Sequence, residues 1–128
     1  MTQINSVDLV TYLIRVATAQ MESEIIKDNT SPAAEIADSI PDGNYYLSDD
    51  GNSGYAIDPS GYAGGLFSTV KGRGDMLVKS AINNGARHLD CFDGYLPKLY
   101  ARHGFVEYKR EANWTPGGPD VVFMHLNN

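Results

Sequence analysis

The residues best placed to do chemistry lie between Leu66 and Leu77. An apolar, β-prone segment runs there into Lys71-Gly72-Arg73-Gly74-Asp75 and then into a helical pattern. Glycines at a strand-to-helix turn let backbone N–H groups converge on an anion. The helix dipole adds partial positive charge, and Lys71 and Arg73 add full charges. Phosphate binding is the chemistry such a turn supports. The plainer alternative is a Gly-rich connection with exposed basic residues. Two phosphate motifs are excluded: the Gly-Lys-Ser/Thr ending of the Walker loop is absent, and the dinucleotide fingerprint lacks its third glycine.

Other reactive side chains are scattered. His88, His103 and His125 stand far apart and Cys91 is the single cysteine, so no metal-ligand spacing is present. Cys91 reads as a small buried hydrophobe. As a nucleophile it would need His88, but three residues apart on a strand the two side chains point to opposite faces. Tyr45, Tyr46, Tyr55 and Tyr62 cluster in one region, either as strand packing or as a binding surface. Trp114, in a Gly/Pro loop, allows the same two readings.

The elements that must position these groups follow from periodicity. Val10, Ile14, Ala17, Met21 and Ile25 recur at helical spacing, widened by Leu9, Leu13 and Val16. Asn5 or Ser6 is the expected cap, and Asp28-Asn29 the expected end. Ser31-Pro32 starts a second helix carrying Ala33, Ile36, Ala37 and Ile40. Asn44–Ser48, Gly54–Ile57 and Tyr62–Thr69 read as an antiparallel meander, with a bulge at Gly64-Gly65. A helix with Leu77, Val78, Ala81 and Ile82 on one face ends at Gly85. His88–Phe92 is a strand, Tyr95–His103 a helix ending at Gly104, and Phe105–Glu111 and Val121–Leu126 are strands. The expected class is mixed α/β (α+β) on a mostly antiparallel sheet, with parallel pairing only around the internal helix.

The chain has 128 residues, 10 Lys+Arg, 16 Asp+Glu and a formal charge of -6, so one domain is expected, residues 1-128. Within it, 1-41 would hold the N-terminal helices and 42-128 the sheet and the cofactor-binding core. The acidic balance argues against a nucleic-acid grip. No apolar run approaches the roughly 20 residues that span a bilayer. One cysteine and a polar N-terminus predict a cytoplasmic protein with no membrane partner.

Leu99-Tyr100 followed by Gly104-Phe105 resembles the late helix and strand entry of the GNAT superfamily of N-acetyltransferases. Gly72-Arg73-Gly74 with Leu77 resembles the end of their pyrophosphate-binding signature. The two blocks keep the family's order, with one helix and one strand between them, and the resemblance covers roughly residues 43 to 126. Asn113-Trp114 and Asp120–Met124 are also similar to small GNAT-like proteins carried by bacteriophages. The family fold implies a twisted sheet with helices on both faces, whose fourth strand bulges and parts from the fifth. The family's first strand is not evident before the opening helix, so the N-terminal part is expected to be reduced.

By resemblance, acetyl-CoA is the cosubstrate. The backbone of Leu66, Phe67 and Ser68 would pair with its pantetheine arm, and N–H groups of Lys71, Gly72, Arg73, Gly74, Asp75 and Met76 would hold its pyrophosphate. Tyr100 would protonate the departing thiolate; a phenol with a pKa near ~10 stays protonated at neutral pH and can do so. Thr69 stands where the family commonly has Arg or Gln, a loss that Lys71 and Arg73 could make good. Asp93 stands where it often has a cofactor-contacting Asn; a carboxylate accepts a hydrogen bond but cannot donate one. Candidate bases for the attacking amine are Asp58, His88, Asp90, Asp93 and Glu107, or a water chain. The expected activity is acetyl transfer to an amine of a small molecule or protein, cationic acceptors being favoured by the acidic chain. The alternative is a GNAT-fold binding protein with weak or no catalysis that acts on a protein partner, such as a host protein. A homodimer is compatible with either.

Overall fold

The computed structural model describes residues 3–127. A short strand, β1 (Ile4–Val7), precedes the first helix and corrects the expectation that none stands there. It pairs antiparallel with β2 (Asn44–Ser48), from Ile4 opposite Ser48 to Val7 opposite Tyr45. Four residues with two of them polar carry too little alternation to be read as a strand. The pairing comes from the partner edge, so the reduction expected of the N-terminal part does not extend to this strand.

The first helix, α1 (Leu9–Glu22), is capped by Asp8 rather than Asn5 or Ser6, its carboxylate accepting from the Thr11 N–H at 2.7 Å. Ser23 takes an extended conformation and breaks the expected single helix. It ends α1 and caps α2 (Glu24–Asn29) through the Ile26 N–H. α3 is Ala33–Ser39, entered through Pro32. The expected core stripe of α1 is a second correction. Val10, Ile14, Met21 and Ile25 are exposed; of the expected face Val16 is buried and Leu9 and Leu13 pack against the core, joined there by Tyr12 and Ala19, which the expectation missed. α1 has two apolar stripes, and the buried one contains Tyr12, whose ring stacks on Tyr45 and meets Phe67 edge-on.

β3 (Ser53–Ile57) and β4 (Tyr62–Ser68) complete the expected meander. α4 (Gly74–Asn83) then leads to β5 (His88–Phe92), α5 (Tyr95–Ala101), β6 (Phe105–Glu111) and β7 (Val121–Leu126). One sheet runs β1-β2-β3-β4-β5-β7-β6, and β4–β5 is its parallel pair. α1, α2 and α3 pack with Tyr45, Leu47, Ala56 and Phe67 on one face. α4 and α5 cover the other, where Leu77, Val78 and Leu99 are buried, each worth roughly 2 kcal/mol. The three outer tyrosines of the sequence cluster are packing residues. Tyr45 and Tyr55 are buried, and Tyr46 stacks on Tyr55 at 5.0 Å.

A cleft between the fourth and fifth strands

β4 and β5 pair only through Tyr62 with His88 and Ala63 with Leu89. Beyond that point β4 stays on β3 as far as Ser68, while β5 stays on β7 as far as Phe92. Their facing edges therefore part. The cause lies in β4. Gly65 and Leu66 of β4 together stand opposite Tyr55 of β3, so the bulge lies one residue on from the Gly64-Gly65 expected in the sequence, with Gly64 itself paired to Ala56. Gly65 has φ +61, and the Tyr12 hydroxyl donates to its carbonyl at 2.5 Å. Thr30 from the α2–α3 connection donates to the Leu66 carbonyl at 3.2 Å. The cleft so opened is lined by Thr30, Tyr62, Leu66, Asp90, Cys91 and Tyr100, among others.

Tyr100 sits at its inner end. The residue is 7% exposed, its ring meets Phe105 edge-on at 5.8 Å, and its hydroxyl, which makes no hydrogen bond to the described residues, is not sealed in the packing but reaches accessible space at the cleft. A polar atom left in that state faces the cavity rather than the packing. Burial, together with the Cys91 and Asp90 groups nearby, pushes the phenol's pKa above its ordinary value, so it keeps its proton throughout the neutral range. Burial likewise pushes the Cys91 thiol up to about 12, which leaves it a poor nucleophile.

The glycine turn stands at the far end of β4. Gly72 has φ +83 and open space around it, and Gly74 begins α4 close against Leu99. The N–H groups of Gly72 to Met76 have no acceptor within the described residues, as expected at a helix start. The side chains here differ from the pattern read in the sequence. The Arg73 guanidinium turns away to the β2–β3 turn, meeting Asp50 at 2.6 and 3.0 Å and Ser53 at 3.0 Å. Asp75 is engaged by His103 at 2.7 Å and by Arg102 at 3.2 Å. Lys71 is left exposed and without an ion-pair partner among the described residues. The Phe67 ring is buried against α1 and the Ser68 hydroxyl bonds Ser53 and Val70, so these two offer the cleft backbone only.

Asp93 points elsewhere. Its carboxylate pairs with Arg110 at 2.7 Å and accepts from the Gly94 N–H, and the guanidinium holds its pKa below the usual range. Arg110 also engages Glu107. Asp58 is taken up by Ser60 and the Tyr62 N–H, and His88 meets Ser60. Among the five candidate bases Asp90 alone lines the cleft. Tyr62 holds it there, its hydroxyl donating at 2.5 Å.

The Asp50–Arg73 pair gives a stability prediction. Hydrogen bonds from the Arg73 guanidinium, then from Ser48 and the Asn52 N–H, hold the Asp50 pKa far below the usual carboxylate range. Such a group adds stability that is full above its unfolded-state value near ~4 and is lost as pH falls through the depressed folded value. The wild-type urea midpoint should therefore fall more steeply below about pH 4 than that of Asp50→Asn, which starts lower at neutral pH. Parallel profiles would remove the pair from the stability of the turn.

No protein-family model and no curated protein matches the chain. Solved structures do. The ribosomal-protein-S18-alanine N-acetyltransferase of Escherichia coli superposes with TM-score 0.66 at 16% identity, over 98% of this chain and 93% of that one. A Bacillus subtilis acetyltransferase in complex with CoA gives 0.64 at 16%, over 100% and 99%. A GNAT superfamily phosphinothricin acetyltransferase from Sinorhizobium meliloti, in complex with acetyl-CoA, gives 0.60 at 16%, over 96% and 86%. At these identities the likeness is one of fold, and the fold of this chain is that of the GNAT acetyltransferases.

Proposed function

We propose that the protein transfers an acetyl group from acetyl-CoA to an amine. The observation that carries this reading is the parting of β4 from β5 beside a buried tyrosine whose hydroxyl has no protein partner. The free N–H groups from Gly72 to Met76 and the Lys71 ammonium suit the pyrophosphate of the cosubstrate, and the backbone of Leu66 to Ser68 suits its pantetheine arm. Arg73 contributes its N–H, while its charge serves the β2–β3 turn. Asp93 has its carboxylate on Arg110 and contributes no side-chain contact to the cofactor.

The amine nitrogen bonds to the thioester carbonyl carbon as the carbon–sulfur bond breaks. The sulfur takes the Tyr100 proton, and the surplus proton of the amine leaves to water, from which Tyr100 is reprotonated. A phenol that stays protonated at neutral pH is suited to donate at that moment. Tyr100 is the catalytic residue of this scheme.

Titration calorimetry with acetyl-CoA tests it. Binding is expected, and Lys71→Ala should weaken it about fivefold, corresponding to roughly 1 kcal/mol for a solvent-exposed charge pair. No binding at millimolar acetyl-CoA would sink the enzyme reading. A second reading would then stand, in which the fold contacts a protein partner, such as a host protein or a second copy. The specific observation favouring it is the exposed stripe of Val10, Ile14, Met21 and Ile25 on α1 and α2.

A further inference from the structure

The cleft continues outward from Tyr100. Thr30, Tyr62, Asp90 and Cys91 line both its inner part and a wider groove beneath α2 and α3. Three carboxylates line this groove from separate elements: Asp28 on α2, Glu35 on α3 and Asp90 on β5. None has an ion-pair partner among the described residues; the cations at the groove are Lys27, which lines it, and Lys109, which lies over the Phe123 ring at 4.9 Å. The remaining acid of the groove, Glu111, is balanced by Lys109 at 2.9 Å. Phe92, Phe123 and Trp114 also line the groove, and with Lys109 over Phe123 the free aromatic faces are those of Phe92 and Trp114, the latter 79% exposed.

Asp90 is the one of the three acids that lines the inner cleft as well as the groove. It is the first β5 residue beyond the last β4–β5 pair, so it stands where the strands begin to part. The Tyr62 hydroxyl fixes its Oδ1 and leaves Oδ2 without a protein partner among the described residues. The unpartnered Tyr100 hydroxyl, on a side chain more than nine-tenths buried, marks the inner end of the same cleft as built for something other than protein.

We propose, resting on the acetyl-transfer reading, that the acceptor is a small alkyl polyamine whose reacting nitrogen docks on Asp90 as an ammonium and gives that extra proton to water before it attacks. One ammonium answers one carboxylate. A second positive charge answers Asp28 or Glu35, which are otherwise left facing each other's field across the groove. The methylene chain between the charges has aromatic surface to cover, and the rings also attract a cation over their faces. An anionic amine meets three carboxylates and is rejected. A monocation gains only one of the available partners. Tyr62 is a positioning residue here, orienting the Asp90 carboxylate.

Direct calorimetry of the full chain with spermidine tests the proposal without any need for turnover. Spermidine should bind at least about tenfold more tightly than butylamine, and binding should weaken as salt is raised. Asp90→Asn should weaken spermidine about tenfold, and Glu35→Gln, an exposed helix position that tolerates the change, about threefold. Spermidine binding that both variants leave unchanged would overturn the proposal. So would no binding near ~10 mM spermidine, or tighter binding of a lysine-rich peptide. Acetyl-CoA is titrated into the same samples. Spermidine binding without acetyl-CoA binding would sink the acetyl-transfer reading and with it the acceptor role, whereas acetyl-CoA binding without spermidine binding would overturn the polyamine inference alone.

Discussion

Tyr100→Phe should lower kcat on the order of 100-fold, the usual scale for a general acid, while acetyl-CoA affinity stays within about twofold. The change is a clean one because the hydroxyl makes no hydrogen bond to the protein, so its removal orphans no partner. The ring keeps its edge-on contact with Phe105 and its place in the core with Leu99 and Val122. Stability should therefore move little, and the loss should fall on the step in which sulfur departs. The sign of the pH dependence follows from burial. Loss of a general acid's proton lowers the rate on the alkaline side, and a phenol pushed above its ordinary pKa moves that limb well above neutrality, so a fall in rate between about pH 7 and 9 would not come from Tyr100. An unchanged kcat would remove Tyr100 from the mechanism and leave water as the donor to sulfur.

What could be read in the sequence divides by range. The meander, the β4 bulge to within one residue, the glycine turn and the face of α4 are each built from residues close together in the chain, and local spacing encodes them. The parting of the fourth and fifth strands is expected from the resemblance carried by Gly72-Arg73-Gly74 and Leu99-Tyr100, not from local spacing. The helix face of α1 was not legible in the same way. The helix has two apolar stripes, and the buried one is met by residues distant in the chain: Tyr12 packs on Tyr45 and Phe67 and bonds Gly65, 53 residues on. Ion pairs are equally invisible to periodicity. Asp50 captures Arg73 and Arg110 captures Asp93 through contacts formed only once the sheet exists. A Lys-Gly-Arg-Gly turn consequently looks like two charges free for a phosphate in the chain, whereas in the fold Arg73 is paired with Asp50. Asp90 was one of five equal candidates for the same reason. In the fold Asp58 and His88 are met by Ser60, Asp93 and Glu107 by Arg110, and Asp90 stands where β4 and β5 part.

The largest stability effect is expected at the bulge itself. Gly65 has φ +61, a conformation that costs an L-residue roughly 1–2 kcal/mol. A Cβ there would also overlap the Tyr12 hydroxyl and lie 2.9 Å from Ile36 Cδ1, and overpacking of a buried contact costs roughly 1–3 kcal/mol. Gly65→Ala should therefore destabilise by about 3 kcal/mol and lower Tm by roughly 10 °C. Tyr12→Phe separates the two causes. Alone it should cost about 1 kcal/mol, because the Gly65 carbonyl loses its donor. In the Gly65→Ala background the same change removes the overlapping oxygen, so it should restore stability, and the two substitutions should be strongly non-additive. The same variant reports on function. Relief of the clash moves β4 or α1, the two walls that hold the bulge, and acetyl-CoA affinity should fall together with Tm. A Gly65→Ala protein that melts within about 2 °C of wild type would mean that the bulge is not held by Tyr12. The opening between the strands would then need another cause.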